Sequence, residues 1–190
     1  MYGLVNQGVQ DLVVELGGDE LWATVKQRAG VELEAFVGMD VYPDDVTDRL
    51  VRAASATLGQ APAEVLRAFG KHWIRYTGRK GYGAVFETMG RTLPEFLGNL
   101  DAMHARLSLS MPHLEPPSFV CEQSGPDQLH LEYWSHRPGL APMVVGLVEG
   151  LGEMFGLDVH MKQTMSTDEG ADHDEFLIET EPAREPAGTR

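Results

Sequence analysis

Up to about residue 111 apolar positions recur at helical spacing; beyond a pair of prolines they alternate instead. Val5, Val9, Leu12, Val13 and Leu16 stand three or four apart, so residues 4–16 read as an amphipathic helix. Gly17-Gly18 supplies a stop, because glycine accepts the left-handed conformation that ends a helix. Further helices are expected near 19–29, 44–58 and 62–77. The third is introduced by Tyr42-Pro43-Asp44-Asp45, and the fourth carries Pro62 at its start, where a proline sacrifices no helical hydrogen bond. Gly78 through Gly83 breaks the pattern. Thr92-Leu93-Pro94-Glu95 is a capping box, in which two side chains satisfy amides that a helix start leaves unpaired. A helix over about 93–110 should follow, with Phe96, Leu97, Leu100, Met103, His104, Leu107 and Met111 on one face.

After Pro116-Pro117 the runs are short and extended: Ser118–Glu122 and Leu129–Arg137, separated by the turn Ser124-Gly125-Pro126-Asp127. A helix at 140–155 and strands near 157–165 and 174–180 complete an antiparallel sheet of four strands. Helices first and a mostly β half afterwards define an α+β fold. The final residues 183–190, with Pro186 and Gly188, have little to bury and are expected to be disordered.

The length, 190 residues, allows one compact domain or two small parts sharing a ligand at their junction. With 15 Lys and Arg against 29 Asp and Glu, the formal charge of −14 repels nucleic-acid phosphates and anionic lipid. The basic cluster Lys71, Arg75, Arg79 and Lys80 reads as a solvated face. One cysteine, Cys121, excludes an intramolecular disulfide and suits a reducing cytoplasm, and the longest apolar stretch, Ala141–Val148, is too short to span a bilayer. The N-terminus does not read as a signal peptide.

Two features carry chemistry. If residues 128–137 are extended, Tyr133, Ser135 and Arg137 project from one side, where a planar guanidinium fork and two hydroxyls suit a carboxylate pair. A polar strand face wetted by solvent is the alternative. His104, alone in an apolar helical pattern, is either a packed core histidine or a ligand.

Tyr-x-Ser-x-Arg after the helical Leu100-Asp101-Ala102-Met103-His104-Ala105-Arg106-Leu107 resembles the H-NOX family of haem-based nitric oxide sensors, and Met1-Tyr2-Gly3-Leu4-Val5-Asn6 looks like the opening of the haem domain of soluble guanylate cyclase. The resemblance covers roughly residues 1 to 182 as one haem domain, with a helical subdomain over about 1–60 and a haem-ligating and sheet subdomain over about 61–182. It implies haem b buried between the helical part and the sheet, with His104 as axial iron ligand and Tyr133, Ser135 and Arg137 on the propionates. Pro117 matches the residue that presses on the macrocycle. Met1, Leu4, Val5, Trp73, Thr77, Pro142 and Leu147 would line the haem and its distal pocket. The tyrosine that holds dioxygen in some members falls here on Pro142, or on Met143 in the other register, and neither can donate; Trp73, where the dioxygen binders have a polar partner, and Tyr76 or Tyr82 are the donors left that could turn inward. Nitric oxide and carbon monoxide are therefore the implied ligands and dioxygen is not. Nitric oxide would weaken the bond to His104, free its helix and alter a surface read by a separate partner, a histidine kinase or a cyclic-di-nucleotide signalling enzyme.

The chain is not expected to be an enzyme, since Asp101 and His104 are neighbours on one helix without a nucleophile motif. The rival is a binding module for a fatty acid or another carboxylate, without haem.

Overall fold

The computed structural model describes residues 1–77 and 83–183. Helix α1 runs Gly3–Arg28, and the stop expected at Gly17-Gly18 is a kink inside it: Gly18 has φ 75°, a left-handed value, after which the helix resumes. Helices α2 (Asp44–Leu58) and α3 (Pro62–Thr77) keep the expected bounds. Asp44 and Asp45 occupy the first turn of α2, where exposed helix amides favour negative charge. The short helix α4 (Gly83–Glu87) has no counterpart in the periodicity, and Arg79, Lys80 and Tyr82 lie outside the described residues.

The single helix expected over 93–110 is two: α5 (Leu93–Gly98) and α6 (Leu100–Ser108). Asn99, at φ −98° and ψ 0°, interrupts them. Its side-chain amide donates to the carbonyls of Met89 and Glu95, both at 2.9 Å, and so competes with the helical ladder. The capping box forms in part: Thr92 Oγ1 accepts from the Glu95 amide at 3.4 Å, while Glu95 reaches back to the Arg91 amide at 2.7 Å.

Strands β1 (Ser118–Gly125) and β2 (Gln128–Trp134), helix α7 (Ala141–Phe155), and strands β3 (Leu157–Met165) and β4 (Asp174–Pro182) follow. All pairings are antiparallel and the spatial order is β1-β2-β4-β3, so the molecule is α+β with one four-stranded sheet. Strand β2 ends at Trp134, short of the expected Arg137. Leu129, Leu131 and Tyr133 are buried while their neighbours face outward, the alternation of a sheet packed on one side.

Two cores result. Val9, Leu12, Val13, Trp22, Val25, Leu50 and Phe69 centre the helical one. Leu93, Phe96, Leu131, Val148, Phe176 and Ile178 belong to the other, between α5, α7 and the sheet. Helix α3 serves both, with Val65 and Phe69 in the first and Ile74 in the second. It crosses α7 at close range, because a Cβ at Gly70 would collide with the Met143 carbonyl and one at Gly146 with the Arg67 carbonyl.

Candidate cofactor site

Helix α6 buries none of its residues completely, although Leu100, Met103, His104 and Leu107 form an apolar stripe. An amphipathic helix owes most of its stability to covering that stripe, so α6 is short of a packing partner. His104 lies half-buried on it, with Nδ1 shut off from solvent and without a hydrogen-bond partner. Orphaned buried ring nitrogens are costly and point to a missing group. Burial holds the His104 pKa below the ordinary histidine value, while Asp101 and the Pro117 carbonyl pull the other way. The ring is therefore neutral near pH 7, the form that ligates a metal.

Around His104 the sequence-marked residues converge. Its ring lies 6.2 Å from that of Phe119, which lies 5.3 Å from Tyr133. Asp101, one turn earlier, accepts from the Ser118 hydroxyl at 2.5 Å and the Phe119 amide at 2.9 Å, tying α6 to the start of β1. Pro117 stands immediately before that strand, half-buried.

The trio takes a form other than a row on one ribbon. Tyr133 alone is in β2; Ser135 and Arg137 occupy the turn after it, because the strand ends at Trp134. The turn is shaped by the Ser135 hydroxyl, which accepts from the Arg137 amide at 3.1 Å. Burial pushes the Tyr133 phenol above its ordinary pKa, opposed by a hydrogen bond with Ser135, so the phenol stays protonated and able to donate. Arg137 Nε donates to Asp44 Oδ2 at 2.7 Å, and Nη1 to the Glu115 carbonyl at 2.9 Å. The Met1 ammonium meets the same Asp44 carboxylate at 2.6 Å. Hydrogen bonds from Met1 and Arg137, the former the stronger influence, hold the Asp44 pKa below the usual carboxylate range. This corner thus already grips a carboxylate between two cations. Sequence reasoning missed Asp44 and Glu115 here, since nothing local links α2 to a turn 93 positions later.

The remaining positions form an apolar border. Leu4 and Val5 lie in the first turn of α1, Trp73 and Thr77 on α3, and Pro142, Met143 and Leu147 on α7. Val5, Trp73 and Met143 pack half-buried against the first core; Met103, Phe119 and Leu147 do the same against the second. Half-buried apolar rims on two cores suit a flat, greasy guest with acidic groups on one edge. Trp73 is seated by Phe69, 5.7 Å away edge-on, and by Gly8, where a Cβ would come within 2.9 Å of the indole. The Thr77 hydroxyl donates to the Trp73 carbonyl at 2.7 Å, so it is engaged within its own helix.

An α+β scaffold with a histidine whose Nδ1 is orphaned on a thinly covered helix, apolar rims and a corner that already holds a carboxylate defines a cofactor-binding module. A profile of the haem-NO-binding family matches residues 2–163, and the chain belongs to that family. It is 29% identical over 160 residues to the soluble guanylate cyclase gcy-31 of Caenorhabditis elegans, an alignment covering 84% of this chain and 23% of the relative. It is 36% identical over 98 residues to the soluble guanylate cyclase subunit beta-2 of Rattus norvegicus, covering 51% and 14%. The chain thus spans about a quarter or less of the length of these relatives. An H-NOX protein from S. oneidensis, solved in its Fe(II)NO ligation state, shares the fold with a TM-score of 0.86 at 20% identity, over 95% of this chain and 99% of that one. An Fe(II) unliganded H-NOX protein from K. algicida gives 0.80 at 20% identity, each chain covered in full. This is a haem gas-sensor domain homologous to the haem region of soluble guanylate cyclases, and a sensing fold rather than a catalytic one. No helix among the described residues is long and apolar enough to cross a membrane.

Proposed function

We propose that the chain binds haem b and senses nitric oxide, passing the signal to a separate partner protein. The observation that carries this is His104: a neutral, half-buried imidazole whose orphaned Nδ1 sits on a helix with no fully buried residue. His104 would be the axial ligand, and Tyr133, Ser135 and Arg137, with Met1, would hold the propionates. Pro117, Leu4, Val5, Trp73, Thr77, Pro142 and Leu147 would line the two faces. Held by His104, the haem would supply a ferrous centre able to bind a diatomic gas.

The chain's own residues set the response. Neither Pro142 nor Met143 offers a donor and Thr77 is engaged, which leaves the indole N–H of Trp73 to hold dioxygen; with it turned away from the gas, nitric oxide and carbon monoxide are favoured over dioxygen, whose bound form needs a hydrogen bond. Once unconstrained at His104, α6 is held to the sheet chiefly by Asp101 on Ser118 and Phe119. A helix held so lightly can shift and bias a docking surface. The partner, in the cytoplasm, would be a histidine kinase or a cyclic-di-nucleotide enzyme. Residues 1–60 and 61–182 would act as the two parts between which the signal travels.

The test is an absorption spectrum of the reduced protein before and after nitric oxide. A haem band that persists unchanged in air and shifts with nitric oxide is expected; a stable oxy spectrum would contradict the ligand assignment. The Asp44–Arg137 grip also suits a fatty acid or another organic carboxylate. Protein that stays colourless when supplied with haem, yet binds a fatty acid, would favour that reading.

A further inference from the structure

Helices α1 and α3 meet at a second group of ligating side chains that the proposed haem site does not use. Asp11 and Glu15 stand one turn apart on α1, a spacing at which like charges repel. Between them sits His72 of α3, whose side chain has no exposure to solvent. Its Nε2 lies 3.0 Å from Asp11 Oδ2, and its Nδ1 lies 3.3 Å from Glu15 Oε2. Nδ1 is buried and makes no hydrogen bond.

No protonation state suits this arrangement. Burial lowers the His72 pKa against the pull of Glu15 and Asp11, so the ring tends to be neutral. A neutral imidazole has one N–H, and its other nitrogen then turns a lone pair toward a carboxylate. Protonation would satisfy both contacts at the expense of a charge in a fully buried ring.

A cation resolves the conflict. One ring nitrogen and one oxygen from each carboxylate all lie within 4.8 Å of one another. Tetrahedral zinc, with bonds of about 2.0–2.2 Å, needs ligand atoms about 3.3–3.5 Å apart. Nδ1 and Glu15 are already at that separation, and the carboxylate side chains, 40% and 47% exposed, have room to close. Two carboxylates neutralise a dication, and their exposure gives it an entry path. A nitrogen donor disfavours calcium and magnesium, which prefer oxygen shells.

We propose that Asp11, Glu15 and His72 bind a divalent transition-metal ion of the zinc type that clamps α1 to α3. The other such group among the described residues, Glu132, His173 and Glu175, differs in the feature that matters. His173 stacks on Trp134 at 4.0 Å and has carboxylate partners at 2.6 and 3.2 Å, Asp172 and Glu175. Burial opposes its protonation and those hydrogen bonds raise its pKa, and both of its ring nitrogens are already engaged by carboxylates, with neither orphaned.

The experiment is a calorimetric titration of zinc chloride into the chelator-treated, haem-supplemented 190-residue chain at pH 7.5, with melting followed in parallel. One zinc should bind and raise the melting temperature. Glu15→Gln, at an exposed position, should weaken binding at least tenfold and abolish the thermal shift; His72→Gln should do the same while retaining the native circular dichroism. Glu175→Gln should change neither. Absence of zinc uptake, a Glu15→Gln titration equal to the parent's, or loss of binding in Glu175→Gln alone would overturn the assignment. The readout does not depend on whether haem is bound, so it fails or succeeds separately from the sensor reading.

Discussion

Burial is the largest influence on both His104 and Cys121. Burial lowers the pKa of His104 and so keeps its imidazole neutral, the form the proposed iron ligand needs. His104→Gly should cut haem retention at least tenfold, measured as the haem-to-protein absorbance ratio after gel filtration, and added free imidazole should restore part of it. Unchanged retention would show that another residue carries the iron. The same physics acts in the opposite direction on Cys121, whose thiol is pushed up to about 11, by burial first and by Glu122 second. Only the thiolate attacks an alkylating reagent. At pH 8 the folded thiol should therefore react about two hundredfold more slowly than the same cysteine in urea, where a value of about 8.5 applies. Because the raised pKa lies above the working range, the native rate should climb about tenfold per pH unit from 8 to 10. A rate that levels off near pH 9 would show an ordinary thiol. Cys121, in an apolar run that reads as a strand, was legible as an inert buried thiol, whereas the setting of His104 was not, since it depends on Pro117 and Phe119 being brought to it from the start of β1.

At the scale of elements, what was legible depended on how local the cause is. Helices α2 and α3 follow from apolar period and start signals, and both keep their expected bounds. The break at Asn99 was hidden, because the apolar face continues across it while the asparagine amide reaches a carbonyl ten residues back. For the same reason the Tyr-Ser-Arg motif was visible as spacing but not as shape: β2 ends beneath it, and Asp44 arrives from another helix. Gly98 ends α5 with nothing near the place a Cβ would take and without a left-handed φ. Gly98→Ala should therefore stabilise the protein by about 0.5–1 kcal/mol through reduced chain entropy, raising the melting temperature by about 1–4 °C. Gly146→Ala is the counterpart. Its Cβ would meet the Arg67 carbonyl, a backbone atom that can yield only if α3 and α7 separate. Overpacking of this kind costs about 1–3 kcal/mol, which should lower the melting temperature by several degrees. A neutral result there would mean that the two helices are less tightly crossed than the structure shows.

Across the whole molecule, stability and sensing draw on one feature: two well-packed cores joined through α3, and between them a rim of half-buried apolar side chains beside a helix that buries nothing fully. A ligand that binds only the folded state adds stability by mass action, about 2.7 kcal/mol at a hundredfold excess over its dissociation constant. That gain is not spread evenly, since segments with few buried contacts open most readily. Leu100–Ser108 should accordingly exchange its amide hydrogens much faster than α3 and α7 in haem-free protein, and haem should slow α6 at least tenfold while leaving the centres of α3 and α7 nearly unchanged. If nitric oxide acts through His104 as proposed, it should then return part of that exchange to α6. Hydrogen-exchange mass spectrometry on the haem-free, reduced and nitric oxide-treated forms distinguishes these cases. Equal protection of α6 in all three would mean that the helix carrying His104 does not transmit ligand state, and the partner-facing surface would have to be sought elsewhere in the fold.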